Sequence, residues 1–181
     1  MPTRQVLLIQ GAGEDVHDQW DNELAESLRR ELGDRYEVRF PRMPDEADPS
    51  YAQWSVAIRR ELAQLDDGAI VIGHSVGGAI MIHTIAEQPT RHLAAIALIA
   101  APFVGEGGWS TDEYQLPSDL GARLPHGVPV HVFHGLDDET VPPPHADLYR
   151  RAIPQATVHL LTGRNHQFND DLSDVARAIC S

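Results

Sequence analysis

The sequence predicts an α/β protein built on a six-stranded, mostly parallel sheet with helices on both faces. Three observations carry this. Six short runs rich in Val, Ile and Leu alternate with stretches whose apolar residues recur at helical spacing. The 181 residues suit one domain, 1–181, and 42% hydrophobic content is enough for a proper core. Finally, a serine flanked by glycines stands where one apolar run meets a helical pattern, in "IGHSVGG" from Ile72 to Gly78.

The elements follow in order. Gln5 to Gln10 ("QVLLIQ") reads as a buried strand. Asp18 to Leu32 reads as a helix with Trp20, Leu24, Leu28 and Leu32 on one face. Tyr36 to Phe40 is a strand stopped by Pro41. Ser50 to Leu65 is a helix with Ser50 as N-cap and Gly68 beyond its end. Ala69 to Gly73 is a strand, and Gly77 to Gln88 a buried helix closed by Pro89. Strands are then expected at Leu93 to Ala100, Val128 to Gly135 and Ala156 to Leu161, with a helix at His145 to Ala152 and a last one from about Leu172 to Ile179. The one loose segment, Ala101 to Gly127, is rich in Gly and Pro, and no independent helical cap fits within it.

Composition narrows the chemistry. The formal net charge is −13 and all 14 basic residues are Arg. Nucleic acid and anionic membranes are therefore poor partners. The absence of Lys removes Schiff-base, pyridoxal-anchor and phosphate-loop lysine chemistry. The single Cys180 excludes an internal disulfide and any multi-cysteine metal site, and no metal or cofactor is expected. The opening "MPTRQVLLIQGAG" is too short in its apolar run for a signal core or a span, so a soluble, cytoplasmic protein is expected. Oligomeric state is left open.

The serine is the candidate nucleophile. Gly-x-Ser-x-Gly between a strand and a helix describes a very tight turn that lifts the hydroxyl clear of the sheet. Side chains at 73 and 77 would collide with neighbouring elements, so glycine is needed there. The helix starting near Val76 aims free N–H groups at the place where negative charge would develop. A serine needs a base and an orienting carboxylate. Asp137 and Asp138 directly follow the fifth strand, and His166 lies in the loop after the sixth. Both loops leave strand C-terminal ends, the edge where open α/β sheets bind ligands. The other nine histidines lack that combination of order and position: His83, His131 and His159 lie inside elements, His92, His126 and His145 flank them at expected surface positions, His74 points the wrong way on its turn, and His134 supports the acid loop. His17 could line the site.

"LLIQGAG", "GHSVGG", "APFVGEGGW", "HGLDDETVP" and "GRNHQF" together resemble small lid-less α/β-hydrolases, in particular the retinoblastoma-binding serine hydrolase family and its bacterial relatives. The resemblance implies a minimal α/β-hydrolase fold with Ser75 as nucleophile, His166 as base and Asp138, rather than Asp137, as its partner. It implies Val76 N–H as one oxyanion donor and Ala12 N–H as the other. The chain departs from many hydrolases in having Gln10-Gly11 where they have His-Gly. The function implied is a carboxylesterase acting on a small-molecule, short-acyl ester, with His17, Trp20, Trp109 and Tyr114 as candidate walls. Amide or thioester hydrolysis on the same triad, and a non-catalytic interaction module, are the alternatives. A dinucleotide site is excluded, because Val16 replaces the third glycine of G-x-G-x-x-G and no acidic residue ends the second strand.

Overall fold

A computed structural model describes residues 3–88 and 92–181, so the expected helix stop at Pro89 lies outside the described residues. Six strands, β1 (Arg4–Ile9), β2 (Tyr36–Arg39), β3 (Ile70–His74), β4 (Ala95–Ile99), β5 (Val130–Gly135) and β6 (Thr157–Leu161), form one sheet in the order β2-β1-β3-β4-β5-β6. Every pairing is parallel. This is the α/β-hydrolase architecture, all parallel where the sequence suggested mostly so.

Both faces of the sheet are covered, and the period-2 alternation of side chains divides the core in two. Leu7, Ile9, Val71, Ile96, Leu98, Val130 and Val132 face one layer, where they meet Trp54 and Ile58 of α3 (Tyr51–Leu62), Ile80, Met81 and Ile85 of α4 (Ser75–Glu87) and Tyr149 of α6 (His145–Ala152). Val6, Leu8, Ile70, Ile72, Ala97, Ile99 and Phe133 face the other, against Leu24 and Leu28 of α2 (Asp21–Leu32) and Val175 and Ile179 of α7 (Ser173–Ile179). Ser50 caps α3, its hydroxyl accepting from the Gln53 N–H at 3.2 Å. Among the described residues, no helix is long and apolar enough to cross a membrane.

Two elements differ from expectation. The helix expected from Asp18 to Leu32 is broken at Trp20 (φ −122°, ψ −63°) into α1 (Val16–Gln19) and α2. The break turns Trp20 outward, 57% exposed, and swings Asp21 into a fully buried position. Periodicity placed Trp20 on the core face with Leu24 and Leu28; the inward pull on Asp21 overrides it. The second difference is in the 101–127 segment, which holds a short helix, α5 (Leu120–Arg123), and a tight loop closed by the Val104–Trp109 bridge.

The strand-to-helix junction is closely packed. A Cβ on Gly73 would lie 2.4 Å from Gly78 Cα, and one on Gly77 would lie 1.8 Å from the Gln10 carbonyl oxygen. Neither neighbour is a flexible side chain. Gly77→Ala is therefore expected to cost about 3 kcal/mol or more in urea unfolding, through backbone overpacking. Gly68→Ala should cost only about 1 kcal/mol, from positive φ alone. Similar losses for the two would show that the crowding at 77 is relieved by movement.

Candidate active site

Ser75 opens α4 directly at the end of β3 and has φ of +53°, a left-handed conformation for a non-glycine residue. The turn lifts its hydroxyl to the C-terminal edge of the sheet. β5 delivers the acid loop to the same edge and β6 the base loop, so three residues remote in sequence meet. Ser75 Oγ lies 3.0 Å from His166 Nε2, and His166 Nδ1 lies 2.8 Å from Asp138 Oδ2. With the Nδ1–H donated to the carboxylate, Nε2 is left as an acceptor for the serine proton.

The Asp138 loop is built to hold a carboxylate in one place. Oδ1 accepts the N–H groups of Thr140 at 2.9 Å and Val141 at 2.8 Å. His134 stands 3.4 Å from Oδ2 while its Nε2–H donates to the Val141 carbonyl at 2.8 Å. Burial opposes ionisation of Asp138, but the bonds from His134, His166 and Val141 outweigh it and hold the carboxyl far below the usual carboxylate range. Asp137 is exposed on the turn beside it.

On the other side of Ser75, the loop after β1 brings Gly11 and Ala12 to the cleft. The Ala12 and Val76 N–H groups have no backbone acceptor among the described residues. The Gly11 N–H, by contrast, is used: it donates to Asp21 Oδ2 at 2.7 Å. Gln10, the departure from His-Gly, has a structural role. Its amide donates to Glu46 Oε2 at 2.7 Å and accepts from the Met43 N–H at 2.8 Å, tying the β1 loop to the chain after β2.

The cleft has a volume of about 280 Å³ and is lined by Gly11, Ala12, Trp20, Ser75, Val76, Trp109, Thr140 and His166, among others. Trp20 and Trp109 both line it. His17 and Tyr114 do not. His17 stacks on Phe40 with ring centroids 4.1 Å apart and bonds the Phe40 carbonyl and Asp18, which turns it away. Tyr114 stacks on Tyr51 at 4.9 Å and meets His83 edge-on, in a patch on α3 and α4. His145 is also unlike its expectation. Buried rather than superficial, it accepts the Phe103 N–H at 2.8 Å and packs edge-on against Trp109, so it props the Trp109 loop. A larger groove of about 1020 Å³ around Arg4, Tyr36 and Cys180 lies at the opposite edge of the sheet and holds no serine–histidine pair.

Sequence reasoning missed the surroundings of His74. Its ring is buried, with Nδ1 2.8 Å from Asp21 Oδ2 and Nε2 3.1 Å from the His166 carbonyl oxygen. The only sequence signal was a histidine beside the nucleophile and an aspartate in an apolar helical pattern. Among the described residues, no group of three or more His, Cys, Asp or Glu is arranged to hold a metal ion.

With this geometry in view, the comparisons are consistent. The family described as "Serine hydrolase" matches residues 6–170, and the chain belongs to it. Its fold is similar to an esterase domain of a Rhodothermus marinus protein (TM-score 0.70, 20% identity, 99% of this chain and 85% of that one). It is also similar to the esterase RhEst1 from Rhodococcus sp. ECU1013 (0.73, 17%, 99% and 91%) and to a bromoperoxidase from Bacillus anthracis (0.73, 15%, 98% and 92%). At such identities the likeness is one of fold. No curated protein sequence matches the chain.

Because the folded Asp138 ionises below its unfolded value, it contributes stability above about pH 4 and loses it as pH falls. Melting temperatures of wild type and Asp138→Asn should therefore differ most near neutrality and converge below about pH 4. A gap that stays constant into acid would show that the carboxylate is not stabilised by its neighbours.

Proposed function

We propose that the chain is a single-domain serine hydrolase, a carboxylesterase acting on small, short-acyl esters through an acyl-enzyme on Ser75. The observation that carries this is the continuous Ser75–His166–Asp138 hydrogen-bonded chain at the floor of a small cleft. His166 takes the hydroxyl proton as Ser75 Oγ attacks the ester carbonyl carbon. The resulting oxyanion is held by the Ala12 and Val76 N–H groups. The tetrahedral intermediate collapses, the alkoxide leaves with the proton from His166, and the acyl group remains on Ser75. Water, deprotonated by His166, then releases the acid and restores the serine. Asp138 keeps the imidazole in the tautomer that can accept, and stabilises it when protonated.

The substrate class follows from the cleft. Its about 280 Å³ lies at the small end of ligand sites, and the walls are two indoles rather than a cap domain. A short acyl chain fits there; a long one has no tunnel to enter. The esterase neighbours support the same class. The motif set supports a place in the family beside the small lid-less members that resemble retinoblastoma-binding serine hydrolases. A cytoplasmic location belongs to the proposal too, supported by the lone cysteine, which leaves no disulfide to protect.

A fluorophosphonate probe is expected to label the wild type, and Ser75→Ala to abolish labelling. His166→Ala should remove turnover of p-nitrophenyl acetate, while His17→Ala, outside the cleft, should keep most of it. Labelling of the Ser75 variant, or equal losses in the two histidine variants, would overturn the assignment. Across a series of p-nitrophenyl esters with matched thioester and amide analogues, kcat/KM should peak at short acyl chains and at the ester. A rise towards long chains would show an extended acyl site.

A further inference from the structure

We infer that Asp21 and His74 form a buried, permanently charged pair that positions the base loop and the oxyanion loop on the nucleophile elbow. The inference rests on the proposed catalytic role of Ser75 and His166, and adds two buried residues at the base of the same cleft that act through their neighbours.

The argument begins with hydrogen-bond inventory. Both nitrogens of His74 face atoms that can only accept: Asp21 Oδ2 at 2.8 Å and the His166 carbonyl at 3.1 Å. A neutral imidazole has one N–H and would turn a lone pair towards one of those oxygens. Both bonds are made by the imidazolium, or by a neutral ring only where Asp21 Oδ2 carries the proton and donates it to Nδ1. Asp21 gives the complementary answer. Its Oδ2 also accepts the Gly11 N–H at 2.7 Å, and Oδ1 accepts the Gln167 side-chain amide at 2.7 Å. Besides His74, two N–H donors converge on this fully buried carboxyl, and both bind the anion more strongly than the neutral acid. The pair is thus His74⁺–Asp21⁻. Burial opposes both charges, yet mutual attraction and these bonds raise the His74 pKa and lower that of Asp21.

The four ties join different parts of the site. Gly11 begins the loop carrying Ala12; His74 precedes Ser75; His166 and Gln167 are the base and its neighbour. The base loop needs such ties, because Phe168, Asn169 and Asp170 all have φ near +55°. Three consecutive left-handed residues are costly and hold only when fixed from outside. The break at Trp20 also acquires a reason: it sets the Asp21 carboxylate under the cleft.

The pair also lies close to the base. The His74 and His166 rings lie with centroids 5.2 Å apart. The titratable groups facing His74 are Asp21 on α2, His166 on the base loop and Asp138 on the acid loop.

Ring-nitrogen NMR of the isotope-labelled resting wild type tests the charge without turnover. Both nitrogens of His74 should be protonated from about pH 6 to about pH 9, where an ordinary histidine is neutral over most of the range. A neutral tautomer at about pH 8 would overturn the inference. In kinetics, Asp21→Asn and His74→Gln should each lower kcat about 100-fold with KM changed less than about 2-fold. The double variant should be little worse than either alone. Additive losses or a KM effect alone would count against positioning. If the variants fail to fold, the wild-type spectrum decides. Failure of the Ser75 assignment would appear in probe labelling and leave the His74 spectrum unchanged, so the two outcomes are separable.

Discussion

The structure depends on how closely β1, β3 and α4 approach one another at the end of the third strand. Gly73 lies against Gly78, and Gly77 against the Gln10 carbonyl, with no room for a side chain at either place. Ser75 sits between them in a left-handed conformation that costs about 1–2 kcal/mol for an ordinary residue. That strain persists because the backbone around it is pinned by packing on both faces of the sheet. Were β1 farther from α4, the serine could relax, and its hydroxyl would sink towards the sheet. The same closeness sets Gly11 and Ala12 beside Ser75, so one constraint supplies both a raised hydroxyl and adjacent backbone donors.

Parallel pairing does the rest of the assembly. Because all strands run the same way, the loops after β1, β3, β5 and β6 open on one rim. Each loop is then fixed by its own polar contacts: the β1 loop by Gln10 and Asp21, the β5 loop by the N–H groups of Thr140 and Val141, the β6 loop by His74 and Gln167. A rim of loops would otherwise be the most mobile part of such a fold. Here the polar bonds are buried or partly buried, and the buried ones are expensive to leave unmade. Among the described residues, these contacts alone hold the site.

Much of this was legible in the sequence, for identifiable reasons. Strands such as Ile70–His74 and Ala95–Ile99 are buried on both faces and appear as unbroken apolar runs. Ser75, Asp138 and His166 stood out because chain order and strand ends locate loops, and loops locate the rim. Side-chain direction is not encoded in the same way. His17 was expected at the cleft because its loop passes there, but stacking on Phe40 turns the ring elsewhere. Tyr114 belongs to a segment without periodicity, and its partner Tyr51 lies far away in sequence. His145 reads as a surface residue at a helix start; only the fold brings the Phe103 N–H to it. The Asp21–His74 pair was hidden for both reasons, since the helical pattern put Trp20 on the inward face and gave no sign that Asp21 was buried.

The open cleft places a particular demand on its walls. Without a lid, water has access throughout the cycle, so whatever dryness the chemistry needs must come from groups beside the serine. Trp20 and Trp109 are the large apolar groups there, and both remain partly exposed, at 57% and 38%. Exposed indoles of this size are costly on a soluble surface unless something covers them. A small ester that slides between them would shed water from both rings as it approached Ser75. On the proposed reading, the acid formed by hydrolysis would be an anion leaving a molecule of formal net charge −13, and like charge would favour its release. Binding would be favoured by apolar contact and release by like charge, so turnover would need no moving domain.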